Sequence, residues 1–140
     1  MTLPEKLQCL LDEFGAIDDP QERLALVVDR ARHLAPLPAG ERQDTHLVRG
    51  CISRAWIVGE CTAAGLCHFR CAADSPLVHG LLSLLCEFFS GAPATEVAQS
   101  ALDPLAALGL TRHLSPTRQH GLAQARSRIR EIATTEGAKT

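Results

Sequence analysis

The chain has 140 residues, with 14 Lys+Arg against 16 Asp+Glu and a formal net charge of −2. That length fits one domain, residues 1–140, and a hydrophobic share of 46% supplies one core. The balance carries no basic block for a nucleic-acid backbone, and four Phe, one Trp and no Tyr make a poor base-stacking platform. No segment is suited to a bilayer: the best apolar run, Leu77 to Phe89, is interrupted by His79, Ser83 and Glu87. Glu5, Lys6, Asp12 and Glu13 interrupt the first apolar stretch, which is no signal-peptide pattern, so a cytoplasmic protein is expected. In that reducing compartment Cys9, Cys51, Cys61, Cys67, Cys71 and Cys86 are expected to be free, metal-bound or reactive rather than paired in disulfides.

Thr2 and Glu5 form a capping box, and Leu3, Leu7, Leu10, Leu11 and Phe14 follow at helical spacing up to Gly15, which is expected to end the helix in the left-handed conformation. Asp19-Pro20 starts a second helix with Leu24, Val27, Val28, Ala31 and Leu34 on its buried face. Pro36, Pro38 and Gly40 lead into a polar loop from Glu41 to His46. From Ile52 to Val58 the period becomes that of a strand, and Thr62 to Gly65 turns into a second strand, Leu66 to Cys71. A short third strand is expected from His46 to Arg49, because two strands alone are marginal. Ser75-Pro76 opens a helix that is apolar nearly all round and stops at Gly91. Short elements near Thr95–Ser100 and from Asp103-Pro104 to Gly109 follow. Ser115-Pro116 begins a last helix with Leu122, Ala125, Ile129 and Ile132 inward, Arg126, Arg128 and Arg130 outward, and a frayed tail from about Thr134. The order predicts an α+β fold: a small antiparallel sheet of about three strands packed against several helices.

The chemistry concentrates in Val48-Arg49-Gly50-Cys51-Ile52-Ser53-Arg54-Ala55-Trp56. Gly50 gives backbone freedom beside an accessible thiol, and His46, Arg49 and Arg54 bring positive charge that favours the Cys51 thiolate. The plain structural alternative is a small apolar residue at a strand start.

This stretch resembles the active-site segment of the SufE family, with its V-x-G-C-x-S-x-V-W pattern matched by Val48, Gly50, Cys51, Ser53 and Trp56. Asp74-Ser75, Gly80-Leu81-Leu82, Leu108-Gly109-Leu110, His113-Leu114-Ser115-Pro116, Arg118 and Gly121-Leu122 agree in order. Ala55, Leu105 and His120 depart from the pattern, where a branched residue, an aromatic and an Asn are usual, and Cys61, Cys67 and Cys71 are additional. The resemblance implies a SufE/IscU-like fold and a sulfur acceptor without independent turnover. In that role Cys51 takes persulfide sulfur from a SufS/CsdA-like cysteine desulfurase, stimulates it, and passes the sulfur to an iron–sulfur scaffold. Pyridoxal phosphate belongs to the desulfurase, and this chain is expected to need no cofactor or metal of its own. Gly50, Arg118 and Asp74 are the accompanying partner-binding or thiol-supporting candidates. Arg118 also reads as an ordinary first-turn arginine, and Asp74 as a helix cap.

Two rival constellations remain. Cys61, Cys67 and Cys71 together with Cys51 would serve an iron–sulfur or zinc scaffold, but the spacing is no zinc ribbon and Cys67 and Cys71 lie about 13 Å apart along one strand. Cys61 is expected in the turn, exposed and open to oxidation or to carrying sulfur, and within reach of Cys67 across the hairpin. Cys9 and Cys86 are expected in the core. A Cys-based hydrolase would pair Cys51 with His46, His68 or His113, without a third residue to orient the base.

Overall fold

A computed structural model describes residues 1–35, 37–48 and 54–138. Each long helix starts where a cap and a proline coincide. α1 (Leu3–Phe14) is capped by Thr2, whose hydroxyl accepts from the Glu5 N–H, and α2 (Pro20–Arg32) by Asp19, which accepts from the Gln21 N–H. β1 (Ala55–Cys61) and β2 (Cys67–Ala73) form the hairpin. α3 (Pro76–Phe89), α4 (Ala94–Gln99), α5 (Pro104–Ala107) and α6 (Pro116–Ala138) follow. No helix among the described residues is long and apolar enough to cross a membrane.

α3 is the central element, with Leu81, Leu82, Leu84, Leu85, Phe88 and Phe89 all buried. α2 crosses it at Gly80, where an added Cβ would lie 3.1 Å from Val28 Cα, so the family-pattern glycine permits a close helix contact. Lys6 of α1 reaches the far end of α3 and donates to the Glu87, Phe88 and Ser90 carbonyls at 2.8, 2.8 and 2.9 Å. A cation on the orphan acceptors of a helix C-terminus satisfies them and complements the dipole.

β1 and β2 pair antiparallel from Ala55↔Ala73 to Cys61↔Cys67. One face, with Ala55, Ile57, Cys67, Phe69 and Cys71, joins the main core. The other sets Trp56 and Ala72 in a small separate cluster with Leu37, backed by Leu47 and Val58. The free edge of β2 is covered by the turn after α3: Cys67 N–H donates to Ala92 O at 2.8 Å, and Gly91, at φ +84, donates to Cys67 O at 2.7 Å.

Several expectations are corrected. The sheet has two strands among the described residues; the expected third strand reduces to a single bridge, Leu47↔Trp56. Its neighbours Asp44–His46 instead take a tight helical turn, leaving no run long enough for a ladder. β2 begins at Cys67, since Leu66 bridges to Pro93. Gly15 is right-handed at φ −60 rather than left-handed, and is tight because a Cβ there would sit 2.9 Å from Leu11 O. Leu34 follows the end of α2 and is exposed. Cys9 is exposed as well, falling on the solvent side of α1 while Leu3 and Phe14 face inward. α6 extends past Thr134 to Ala138, with Ile132 and Ala133 buried and Gly137 close to Ala94. Arg126 is only 22% exposed and forms an ion pair with Asp103 instead of pointing to solvent.

Candidate functional site

Cys51 and Gly50 lie outside the described residues, in the segment 49–53; both ends of that segment are described. On the N-terminal side Leu47 packs beneath Trp56, while Val48 is buried in the main core and donates its N–H to Ala55 O at 2.8 Å. On the C-terminal side Arg54 accepts from the Asp74 N–H at 3.0 Å and donates its Nε to Asp74 Oδ2 at 2.9 Å. Its guanidinium also lies 5.5 Å from the Trp56 ring centroid. The segment thus begins and ends on hydrogen-bonded neighbours at one end of the hairpin.

Asp74 is therefore a partner of Arg54, not the cap of α3. The cap is Ser75, whose hydroxyl accepts from Val78 N–H. This pair also offsets part of the positive charge that the sequence places beside Cys51. An exposed ion pair of this kind contributes about 0–1 kcal/mol on its own, but here it adds to a backbone bond on the same two residues. Arg118 is exposed in the first turn of α6, its N–H capped by the Ser115 hydroxyl, and makes no bond to Asp74 or Arg54. The structure thus couples Asp74 to Arg54 and leaves Arg118 on a separate element.

A feature the sequence did not single out is the strap over the outer face. Residues 37–48 cross that face, tied by Arg70 of β2, whose two guanidinium nitrogens donate to Glu41 at 2.9 and 2.5 Å. That fork holds the Glu41 carboxyl below its ordinary value, with the hydrogen bond from Arg70 the main cause. Nothing in the spacing of Glu41 and Arg70 announces the contact, because it spans 29 positions.

The remaining cysteines sort into two pairs. Cys61 and Cys67 face each other across the hairpin with sulfurs 3.0 Å apart. Cys61 is the last residue of β1 and half-buried, not an exposed turn residue, because the turn begins one residue later. Burial first, and then the hydrogen bond and charge of Cys61, push the Cys67 thiol up to about 12. Cys71, on the same face of β2, sits instead 3.5 Å from the Ser83 hydroxyl and beside Cys86. The Cys86 hydrogen bond, helped by Ser83, lowers the Cys71 thiol against the effect of burial, and Cys86 is raised well above the ordinary thiol value. Both pair members line a cleft of ≈ 340 Å³ with His79 and Leu37. Among the described residues no three His, Cys, Asp or Glu side chains converge as a metal site. Of the imidazoles weighed as bases, His68 and His113 are exposed and His46 sits in the strap; none hydrogen-bonds a carboxylate among the described residues.

Comparison with known proteins places a chain of this arrangement in a class, an Fe–S metabolism associated domain. The family model described as SufE, an Fe-S metabolism associated domain, matches residues 8–133. A SufE-like protein of Rhizobium meliloti is 33% identical over 130 residues, covering 90% of this chain and 91% of the relative. SufE-like protein 1 of Arabidopsis thaliana, chloroplastic/mitochondrial, is 30% identical over 86% of this chain and 32% of its own length. A solution structure of a hypothetical protein from Thermus thermophilus has the same fold, with a TM-score of 0.77 at 21% identity over 97% of this chain and 98% of that one. The chain belongs to the SufE family.

Proposed function

We propose that the chain is a sulfur acceptor whose Cys51 thiolate takes the outer sulfur of a cysteine desulfurase persulfide and hands it to an iron–sulfur scaffold. The observation that carries the reading is the motif around Cys51, Val48-x-Gly50-Cys51-x-Ser53-x-x-Trp56, within a chain whose family works in Fe–S metabolism. The attack follows thiol–disulfide exchange: the Cys51 sulfur bonds to the outer sulfur, the persulfide S–S bond breaks, and the desulfurase thiolate leaves. Clearing the partner's cysteine in this way stimulates its turnover. The anchoring of both flanks supports a thiol presented on a fixed base: Val48 is held in the core and Arg54 is held by Asp74. In this reading Gly50 allows close approach of a partner, Asp74 holds the exit of the segment, and Arg118 offers an exposed cation to the docking desulfurase. The pyridoxal phosphate stays with that partner, and the exchange belongs in a reducing compartment such as the cytosol, where thiols persist.

The test is intact mass and peptide mapping after incubation with a cysteine desulfurase and free cysteine, without strong reductant. One added sulfur is expected on the Cys51 peptide, and none in Cys51→Ser, which keeps its fold. Wild-type sulfur loading in Cys51→Ser would falsify the assignment.

A further inference from the structure

We propose that Cys61 and Cys67 form a dithiol that reduces persulfide sulfur to sulfide. Cys67 sends its N–H to Ala92 O and receives the Gly91 N–H, so both of its backbone groups point away from β1. Its pairing with Cys61 is therefore of the non-hydrogen-bonded kind, in which Cα atoms stand about 4.5 Å apart and side chains are closest. That spacing lies within the range a disulfide accepts, and from 3.0 Å the sulfurs need to close by about 1 Å to bond. Cys61 is half-buried and reachable, whereas Cys67 is 1% exposed, so the first attacks and the second resolves.

The oxidant follows from the family's chemistry, and this part of the inference rests on the acceptor reading. A cluster holds its sulfur as sulfide, whereas the outer sulfur of a persulfide is two electrons more oxidised. A neighbouring dithiol supplies two electrons. In the first step the Cys61 thiolate bonds to the outer sulfur of R–S–SH, that S–S bond breaks, and the R–S⁻ released takes up a proton. In the second, the Cys67 sulfur bonds to Cys61 Sγ, the new persulfide bond breaks, and HS⁻ leaves with the Cys67 proton as hydrogen sulfide. The sum is R–S–SH plus two thiols giving R–SH, one disulfide and H₂S. An external dithiol restores the pair by exchange.

The probe is glutathione persulfide, added under argon to the reduced full chain, with released sulfide and cysteine peptides both measured. Sulfide above the protein-free background is expected at about one per chain, together with a Cys61–Cys67 linked peptide. Cys61→Ser should abolish both, and Cys67→Ala should hold an extra sulfur on Cys61 without linkage. The wild-type map needs no variant, so a folding defect in Cys67→Ala leaves the test standing. Absence of the linked peptide from wild type, or sulfide release unchanged by Cys61→Ser, overturns the proposal. Sulfur on Cys51 alone would sink the dithiol and leave the acceptor reading intact, whereas linkage with no desulfurase-dependent loading of Cys51 would do the reverse.

Discussion

The two faces of the hairpin are stabilised very differently. The inner face merges with one continuous core, where Ile57 and Phe69 meet buried side chains of α3 and α6. Among the described residues the outer face buries Trp56, Leu37 and Ala72 together, under an irregular strap held by the Arg70–Glu41 fork. Both faces share the same strands, so the difference lies in what covers them. A helix brings a long apolar stripe and satisfies its own backbone, whereas the strap brings single side chains. Local stability scales with buried apolar contacts, so the outer face is expected to open at lower cost than the core. The segment that carries Cys51 is attached at this seam, with Leu47 on the outer cluster and Val48 in the inner core.

The chain's one tryptophan, Trp56, sits in the outer cluster and reports on it directly. The largest expected effect belongs to the inner side: Phe88→Ala should cost about 3–5 kcal/mol, moving the denaturant midpoint of Trp56 fluorescence and of far-UV circular dichroism together. Phe88 is 1% exposed and packs edge-to-face on Phe89. Leu37→Ala should cost about 2 kcal/mol, at the low end for a buried leucine because a loop can settle into the space. It should shift the fluorescence transition to lower denaturant and leave the dichroism midpoint nearly in place. Coincident transitions in wild type and in Leu37→Ala would mean that strap and core unfold as one unit, and the contrast between the faces would be wrong.

The inner half was largely legible in the sequence and the outer half was not. Ser75-Pro76 and the all-round apolar run made α3 readable, as the Thr2/Glu5 capping box did for α1 and the cap-plus-proline pairs did for α2 and α6. These are local signals. The expected third strand failed because the residues before Val48 satisfy themselves in a helical turn, a choice that residue preference does not reveal. Asp74 reads as a cap because it stands beside Ser-Pro, yet its partner is Arg54, 20 positions away. Lys6 on the end of α3 and Glu41 on Arg70 are longer-range still, and no spacing rule connects them. At the candidate site the motif pointed to Cys51 itself. What holds its flanks came only from the fold.

The smallest expected effect tests the strap through pH. Glu41 has a folded-state pKa below the ordinary 4.5, chiefly because Arg70 hydrogen-bonds its carboxylate; the little burial it has works against this, and the charges of Arg70 and His46 add to it. A depressed acid binds protons more readily when unfolded, so its contribution is complete above the ordinary carboxylate value and is lost as pH falls through the folded one. Glu41→Gln keeps the shape, removes the charge and cannot titrate. The gap between wild type and Glu41→Gln, read from the Trp56 fluorescence midpoint, should therefore be widest near neutral pH and close on acidification. The dichroism midpoint should show less of it, since the fork fastens the strap and not the core. A gap that stays constant with pH would mean that the Arg70 fork contributes through packing alone, and the outer face would then lack the electrostatic tie ascribed to it.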